Sequence, residues 1–245
     1  IFLRFDLDSA LGHHKYVQTS GEDSKFGIST KDICSARDLC IQNNIDVIGL
    51  HSHIGSGIFT PFSWYDCARK LVSLASEFPK VKILDLGGGF GVPEKPFQKS
   101  LDVNAMSKLL SKFRTEFPSY KIWIEPGRFL VANIGVLLTR VNQLKQKGNK
   151  VFVGVDTGMN SLIRTPLYGS YHEVMNLSRA YYKDSFIVAD IVGPICESGD
   201  VLAYDRAVPK ETEEGDIFAI ENAGAYGAVM ASSYNMRKPA PEIMI

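Results

Sequence analysis

The chain has 245 residues, of which 45% are hydrophobic, and its 27 basic side chains balance 27 acidic ones. This apolar content is enough for a sizeable core in one large domain or two ordinary ones. The zero net charge argues against a nucleic-acid or anionic-membrane partner, since either would select a basic face. No apolar run reaches the roughly 18–20 residues of a membrane helix. The four cysteines form no CxxC pair, so we predict no metal site, no disulfides and a cytoplasmic protein.

Both ends of the chain are apolar. It begins with IFLRF at 1–5 and ends with IMI at 243–245, and no targeting segment precedes the first strand-like run. We therefore expect a piece of a longer polypeptide that lacks its N-terminal part.

The first half of the sequence alternates strand-like and helix-like segments. Four short apolar or β-branched runs predict buried parallel strands. They are Ile1–Asp6, Asp46–Leu50, Lys82–Leu86 and Lys121–Ile124. Their centres recur about every 40 residues, which is the period of a βα unit in a parallel sheet or barrel.

Three amphipathic segments lie between these strands. Ser29 begins a sequence that resembles a capping box and predicts a helix after it. The inward residues of that helix are predicted to be Ile33, Ala36, Leu39 and Cys40. The other two segments repeat apolar residues at helical spacing and end before prolines. Their predicted inward residues are Trp64, Ala68, Leu71, Ala75 and Phe78, then Met106, Leu109, Leu110, Phe113 and Phe117.

After about residue 130 the pattern changes to short β-like runs separated by Gly, Pro and Asp, with one helical stretch around Tyr171–Tyr182. The predicted fold class is therefore α/β plus all-β. Residues 1–132 would form the C-terminal half of a (β/α)8 TIM-type barrel, and 133–245 a C-terminal β domain with a Greek-key-like sheet. A complete barrel takes roughly 250 residues, so about four βα units would lie upstream.

Three polar motifs follow three successive predicted strands. They are HSHIGSG at 51–57, DLGGGFG at 85–91 and EPGR at 125–128. The carboxyl ends of parallel strands meet at one rim, which is where barrels carry their active sites. Three consecutive glycines, at 87–89, let the backbone approach an oxyanion closely and direct several N–H groups at it, which suits a phosphate.

The EPGR motif combines a carboxylate with a guanidinium. Glu125 can point into the barrel mouth, while the Pro-Gly turn directs Arg128 towards an anion. An acid for a ring nitrogen, together with phosphate donors, is what a pyridoxal phosphate site requires. His53 could stack on the face of such a ring, whereas His51 is interpreted as a satisfied core residue. An ordinary ion pair between Glu125 and Arg128 remains the structural alternative.

The glycine-rich segment also has a second interpretation. The pattern of Asp85, Gly87, Gly89 and Gly91 matches the glycine loop of S-adenosylmethionine-dependent methyltransferases. That loop leads directly into a helix, whereas prolines at 93 and 96 follow here, so we disfavour this function. A dinucleotide-binding fingerprint also fails, because its last glycine is replaced by valine.

Five motifs occur in the order seen in alanine-racemase-fold, pyridoxal-phosphate-dependent decarboxylases. They are His53–Ser56, Gly87–Gly89, Glu125–Arg128, Cys196–Asp200 and Gly224–Tyr226. The chain resembles this family, which includes the ornithine, arginine and diaminopimelate decarboxylases, along nearly its whole length. It is most similar to the diaminopimelate decarboxylases. The resemblance implies pyridoxal 5'-phosphate as the cofactor, a small amino acid as the substrate and a homodimer with a shared active site.

The resemblance also implies a role for each matching residue. His53 would stack on the cofactor ring and Glu125 would bind its nitrogen. The phosphate would be held by Ser56, Gly87, Gly88, Gly89, Arg128 and Tyr226. The substrate carboxylate that is not lost would be bound by Arg128, Arg164 and Tyr168. Cys196 would be the proton donor and Glu197 would bind the distal ammonium, both reaching into the partner's site. A buried structural cysteine is the alternative for Cys196.

The substrate is predicted from charge. An ornithine site needs an acid for a distal amine alone, whereas a site for meso-2,6-diaminopimelate must also neutralise a distal carboxylate. Arg164 is the natural bidentate donor for that carboxylate, and Glu197 suits the neighbouring ammonium. We therefore predict decarboxylation of meso-2,6-diaminopimelate to L-lysine, with an ornithine or arginine decarboxylase as the alternative.

The lysine that binds the cofactor in this family is absent from the chain. The resemblance implies that it lies on the first barrel strand, before residue 1. The 245-residue chain alone is therefore predicted to be inactive, since without that amine the reaction has no starting point. A non-catalytic regulatory relative is the alternative. The retained Cys196, Glu125 and glycine loop favour an active decarboxylase over that alternative.

Overall fold

The computed structural model describes residues 1–7, 11–12, 21, 24–181 and 185–245. The chain divides into two compact units, the first formed by 1–92 and 99–129, the second by 93–98 and 130–245. The predicted boundary at 132/133 differs from this division chiefly because the segment 93–98 belongs to the second unit.

The elements of the first unit are β1 (Phe2–Asp6), β2 (Leu11–Gly12), β3 (Ile28–Ser29), α1 (Ile33–Gln42), β4 (Gly49–His51), β5 (Gly55–Ser56), α2 (Phe62–Ala75), β6 (Ile83–Asp85), α3 (Val103–Glu116) and β7 (Lys121–Trp123). A short helix, α4 (Gly127–Val131), begins in this unit and ends in the second. The unit is built on a five-stranded parallel sheet in the order β3-β1-β4-β6-β7. The four predicted strands are all present, and β2 pairs with β5 separately. The predicted βα alternation is confirmed.

One face of this sheet is covered by its helices. Phe5, Leu50 and Leu84 are at most 1% exposed and belong to one hydrophobic core. The same core takes in the predicted inward face of α2, since side chains at helical spacing share one side of the helix. Residues alternate across a strand, so the neighbours of these core residues point to the opposite face of the sheet.

The prediction for α1 is wrong at one residue. Leu39 is 60% exposed, whereas Cys40 is buried and Ile33 packs against the core. The contact stripe of α1 therefore runs through positions spaced by seven residues, and Leu39 flanks that stripe. Ser29 is an N-cap as predicted, and its side chain accepts a hydrogen bond from the N–H of Lys31. The turn that it caps is a short 3-10 helix that precedes α1.

The elements of the second unit are β8 (Leu137–Lys147), β9 (Lys150–Val155), α5 (Arg164–Tyr168), β10 (Val174–Asn176), β11 (Phe186–Val192), β12 (Val201–Pro209) and β13 (Ile217–Ile220). Its strands form a six-stranded mixed sheet in the order β10-β13-β8-β9-β11-β12. Adjacent strands are antiparallel except for β9 and β11. The predicted α/β half followed by a β half is confirmed.

The helix predicted around Tyr171–Tyr182 is wrong where the structure describes it, because β10 occupies Val174–Asn176. Val174 and Asn176 are buried while Met175 between them is 46% exposed, so the local period is two. Tyr182 lies outside the described residues. Within the described ranges, no helix has both the length and the apolarity to cross a membrane.

Candidate active site

The three polar motifs of the first unit begin at one edge of the parallel sheet. The last residues of β4, β6 and β7 are in register, His51 beside Asp85 and Asp85 beside Trp123. Because the strands are parallel, the segments that follow them all leave from this edge. We call this edge the rim, formed by residues 51–57, 85–91 and 123–128.

His53, Gly88 and Glu125 meet at the rim. The N–H of Gly88 donates to Nδ1 of His53 at 3.2 Å. His51 lies beside them, with its Nε2 3.5 Å from a carboxylate oxygen of Glu125. One side-chain nitrogen of each histidine and a Glu125 oxygen lie within 4.8 Å of one another. The imidazole, the glycine loop and the acid singled out in the sequence are therefore close enough to contact one small molecule.

The glycines of the rim are required by close backbone packing. A Cβ on Gly88 would overlap the carbonyl oxygen of Glu125, and one on Gly89 would overlap that of Gly55. Two of the three amides already have acceptors, since Gly87 donates to Asp85 Oδ1 at 3.0 Å and Gly88 donates to His53. The N–H groups of Gly87 and Gly88 therefore donate within the chain, one to the preceding strand and one to the neighbouring motif.

Trp64 supports the glycine loop from α2. Its side chain is fully buried, and its Nε1 donates to the carbonyl of Gly88 at 3.1 Å. The ring also packs on Phe90, with 4.5 Å between the centroids. The sequence identified Trp64 only as a core residue, because helical spacing reports burial but not what the indole nitrogen contacts.

Burial keeps the rim histidines neutral. Desolvation lowers the pKa of His53 to about 4, with a further contribution from the Arg4 guanidinium. Desolvation also lowers the pKa of His51, although the Asp85 and Glu125 carboxylates oppose this shift. Among the described residues, Nε2 of His51 is a buried nitrogen without a hydrogen-bond partner. The interpretation of His51 as a satisfied core residue is therefore wrong.

The donors at the rim fit a phosphorylated pyridine. Glu125 supplies a carboxylate for a ring nitrogen, and the neutral imidazole of His53 supplies a flat face for stacking. Arg128 lies on α4, three residues after Glu125, and Ser56 lies in β5; both are partly buried. A cation, a hydroxyl and the N–H of Gly89 are suitable donors to a phosphate.

The second unit carries the remaining residues singled out in the sequence. Arg164 begins α5 and is 4% exposed, and Tyr168 lies one turn further along the same helix. The guanidinium of Arg164 donates to Glu94 Oε1 at 3.2 Å and contacts His172 Nε2 at 3.1 Å. A cation this deeply buried needs such partners.

Cys196 and Glu197 lie in the loop between β11 and β12. Both are exposed, which argues against the buried structural alternative for Cys196. The loop is held by Asp200, whose carboxylate accepts from the N–H groups of Met159 and Ile195. Burial raises the pKa of Asp200, although these hydrogen bonds oppose the shift. Tyr226 is about half exposed and has a φ of +64°.

Sequence reasoning did not identify Glu94, His172 or Asp200 as supporting residues. Asp200 was within a recognised motif, so a signal was available for it. No sequence signal identified Glu94 or His172. The contact from Arg164 to Glu94 spans 70 residues of sequence, and the contact from Arg164 to His172, eight residues away, depends on how the chain turns after α5. Local patterns do not report which distant segments meet.

Acidification is expected to destabilise the protein through His172. Burial lowers the pKa of His172 to about 4, whereas the unfolded side chain titrates near 6.5. Between these values the unfolded chain binds the additional proton, so stability is lost as pH falls from about 6.5 to about 4, by on the order of 3 kcal/mol. Urea unfolding at several pH values measures this loss. A His172→Gln variant should show a flatter profile, and an unchanged profile would contradict the assignment.

The chain is similar to known decarboxylases. A family model described as "Pyridoxal-dependent decarboxylase, pyridoxal binding domain" matches residues 1–132. Diaminopimelate decarboxylase of Aquifex aeolicus is 39% identical over 100% of this chain and 59% of its own length. That of Methanothermobacter thermautotrophicus is 37% identical over 96% of this chain and 56% of its own length.

A solved structure shares the fold. Diaminopimelate decarboxylase from Helicobacter pylori, complexed with L-lysine, superposes with a TM-score of 0.84 at 30% identity, over 98% of this chain and 60% of that one. The chain thus spans somewhat more than half the length of the relatives it matches. The family model covers more than half of the chain, including every residue of the rim, and pyridoxal phosphate is the cofactor of that family. On these grounds the chain belongs to the pyridoxal-dependent decarboxylase family.

Proposed function

We propose that a full-length protein containing this chain decarboxylates meso-2,6-diaminopimelate to L-lysine with pyridoxal phosphate. The observation that carries this proposal is the meeting of His53, Gly88 and Glu125 at one rim. These groups suit a single phosphorylated pyridine, and the chain's relatives are named diaminopimelate decarboxylases.

The rim residues would each do a separate task. Bound pyridoxal phosphate supplies an electron sink for the carbon that loses carbon dioxide. Glu125 would hold a proton at the pyridine nitrogen, and the neutral ring of His53 would lie against the pyridine face. Ser56, the N–H of Gly89, Arg128 and Tyr226 would bind the phosphate. Gly87 and Gly88 would shape the loop, because their N–H groups already donate within the chain.

The residues of the second unit would bind the substrate and move a proton. Arg164, with Arg128 and Tyr168, would bind the carboxylate that is retained, and Glu197 would bind the distal ammonium. Cys196 would protonate the carbon left by decarboxylation. An ornithine or arginine substrate has no distal carboxylate, so Arg164 would keep Glu94 as its partner but gain no hydrogen bond to the substrate, which favours diaminopimelate.

Three finer features belong to the same proposal. The active form would be a homodimer in which Cys196 and Glu197 serve the partner's site, and it would work in the cytoplasm. The 245-residue chain alone would be inactive, because the lysine implied by the family resemblance precedes residue 1. The amine it provides is needed to bind the cofactor covalently.

The proposal is tested by assaying decarboxylation of meso-diaminopimelate, ornithine and arginine with the full-length protein. We expect turnover of diaminopimelate alone and none by the 245-residue chain. A Cys196→Ala variant should lose about 10²–10⁴-fold in kcat, the usual contribution of a positioned proton donor. Cys34→Ala is the matched control, since Cys34 is another exposed cysteine on α1. Preferred turnover of ornithine would overturn the substrate, and turnover by the short chain would overturn the need for an upstream lysine.

A further inference from the structure

The guanidinium of Arg164 is held from two sides. Nη2 donates to Glu94, which is 17% exposed and balances its charge, and Nη1 contacts the ring of His172. These two bonds use two of the five N–H donors of a guanidinium. Contacts at both terminal nitrogens define the plane of the group, and that plane determines which carboxylate geometry it can bind bidentately.

The hydrogen bonds of His172 determine which of its nitrogens carries the proton. Nδ1 lies 2.7 Å from the carbonyl oxygen of Glu221. A carbonyl only accepts, so Nδ1 must carry the hydrogen. Nε2 of the neutral ring then presents a lone pair, and Arg164 donates to it. The ring is fully buried, which also favours the neutral form.

A neutral acceptor suits this position. A second carboxylate at 172 would orient the guanidinium equally well, but it would compete with an incoming anion for the same charge. The imidazole holds Nη1 without adding negative charge. Arg164 therefore keeps an orientation set by His172, while Glu94 is its only anionic partner among the contacts described.

We propose that His172 is a positioning residue that sets the plane of the Arg164 guanidinium for the retained carboxylate of the substrate. This inference rests on the proposed function, which assigns that carboxylate to Arg164. His172 reaches the substrate only through Arg164. Its loss should therefore weaken binding of carboxylate-bearing ligands and leave the chemical step largely unchanged.

Two substitutions separate the two hydrogen bonds of His172. In His172→Asn the side-chain amide reaches the place of Nδ1, so the bond to Glu221 can persist while Arg164 loses its acceptor. In His172→Gln the amide reaches the place of Nε2, so Arg164 keeps an acceptor and the bond to Glu221 is lost. A role limited to stability would affect both variants alike.

The experiment measures L-lysine affinity by calorimetry and kcat and KM for diaminopimelate, using full-length holoenzyme. We expect His172→Asn to weaken lysine binding and raise KM about 10-fold or more, the usual effect of losing a hydrogen bond to a charged group. His172→Gln should stay within about threefold of wild type, as should kcat in both variants. Pentane-1,5-diamine is the matched ligand without a carboxylate, and its affinity should not change.

Equal losses in the two variants, or an equal loss of diamine affinity, would overturn the positioning role. If the Asn variant does not fold, a measurement on the wild type still tests the inference. Nitrogen-15 NMR should show His172 as the neutral ring protonated at Nδ1, and a proton on Nε2 would overturn the inference. Failure of the proposed function can be distinguished from failure of this inference, because the wild type would then show no turnover of diaminopimelate.

Discussion

Replacing Glu125 with Gln in the full-length holoenzyme is expected to lower kcat for diaminopimelate by about 10²–10⁴-fold. A carboxylate can hold a proton on the pyridine nitrogen, whereas a neutral amide cannot, so the electron sink is weakened. The backbone of Glu125 packs on the glycine loop, and its side chain lies 3.5 Å from His51. Glutamine keeps the shape of the side chain, so the loss should appear in kcat with little change in folding.

Glu77→Gln is the matched control for this prediction. Glu77 is also in the first unit and forms an ion pair with Arg37, away from the rim motifs in sequence. Such a partly exposed pair contributes little to stability, so the control should keep its kcat. The absorbance spectrum of bound cofactor gives a second readout. Retention of kcat within about threefold in Glu125→Gln would contradict the role given to this carboxylate.

A Gly89→Ala substitution is expected to destabilise the protein by about 3 kcal/mol or more. The left-handed backbone of Gly89, with a φ of +83°, costs an L-residue roughly 1–2 kcal/mol. The added Cβ would also overlap the carbonyl of Gly55, and overpacking of this kind costs about 1–3 kcal/mol. Because Gly55 is part of the rim, cofactor affinity should fall as well.

Gly148→Ala separates the cost of the left-handed backbone from the cost of the overlap with Gly55. Gly148 has a φ of +59°, but no described atom lies within 4 Å of an added Cβ. This variant should therefore show only the backbone cost, about 1–2 kcal/mol. Urea unfolding of both variants measures the difference. Equal destabilisation would show that the close approach of the 55 and 89 backbones does not matter.

Local periodicity was sufficient for much of the fold. The apolar spacing of α2 predicted its buried face, including Trp64 and Leu71, because the helical repeat alone decides which residues share a side. It was insufficient for α1, where Leu39 flanks the contact stripe. It also failed near Val174, where only pairing with β13 shows that the segment is a strand.

The common position of the three motifs also followed from the sequence. A repeated βα period implies parallel strands, and parallel strands bring their carboxyl ends to one edge. This arrangement alone predicts that His53 and Glu125 approach each other. The hydrogen bonds from the Gly87 and Gly88 amides to Asp85 and His53 were not predictable, since a run of glycines indicates only that the backbone can approach another group closely.

The βα period, the order of the motifs and the resemblance to a decarboxylase family all follow from the amino-acid sequence, because each depends only on short stretches of chain. Three sets of contacts are visible only in the folded chain: Trp64 supports Gly88, Asp200 holds the loop of Cys196, and His172 and Glu94 hold Arg164. Those contacts join residues that are distant in sequence or face each other across a turn. Their formation depends on the collective packing of the whole unit, which no local pattern encodes.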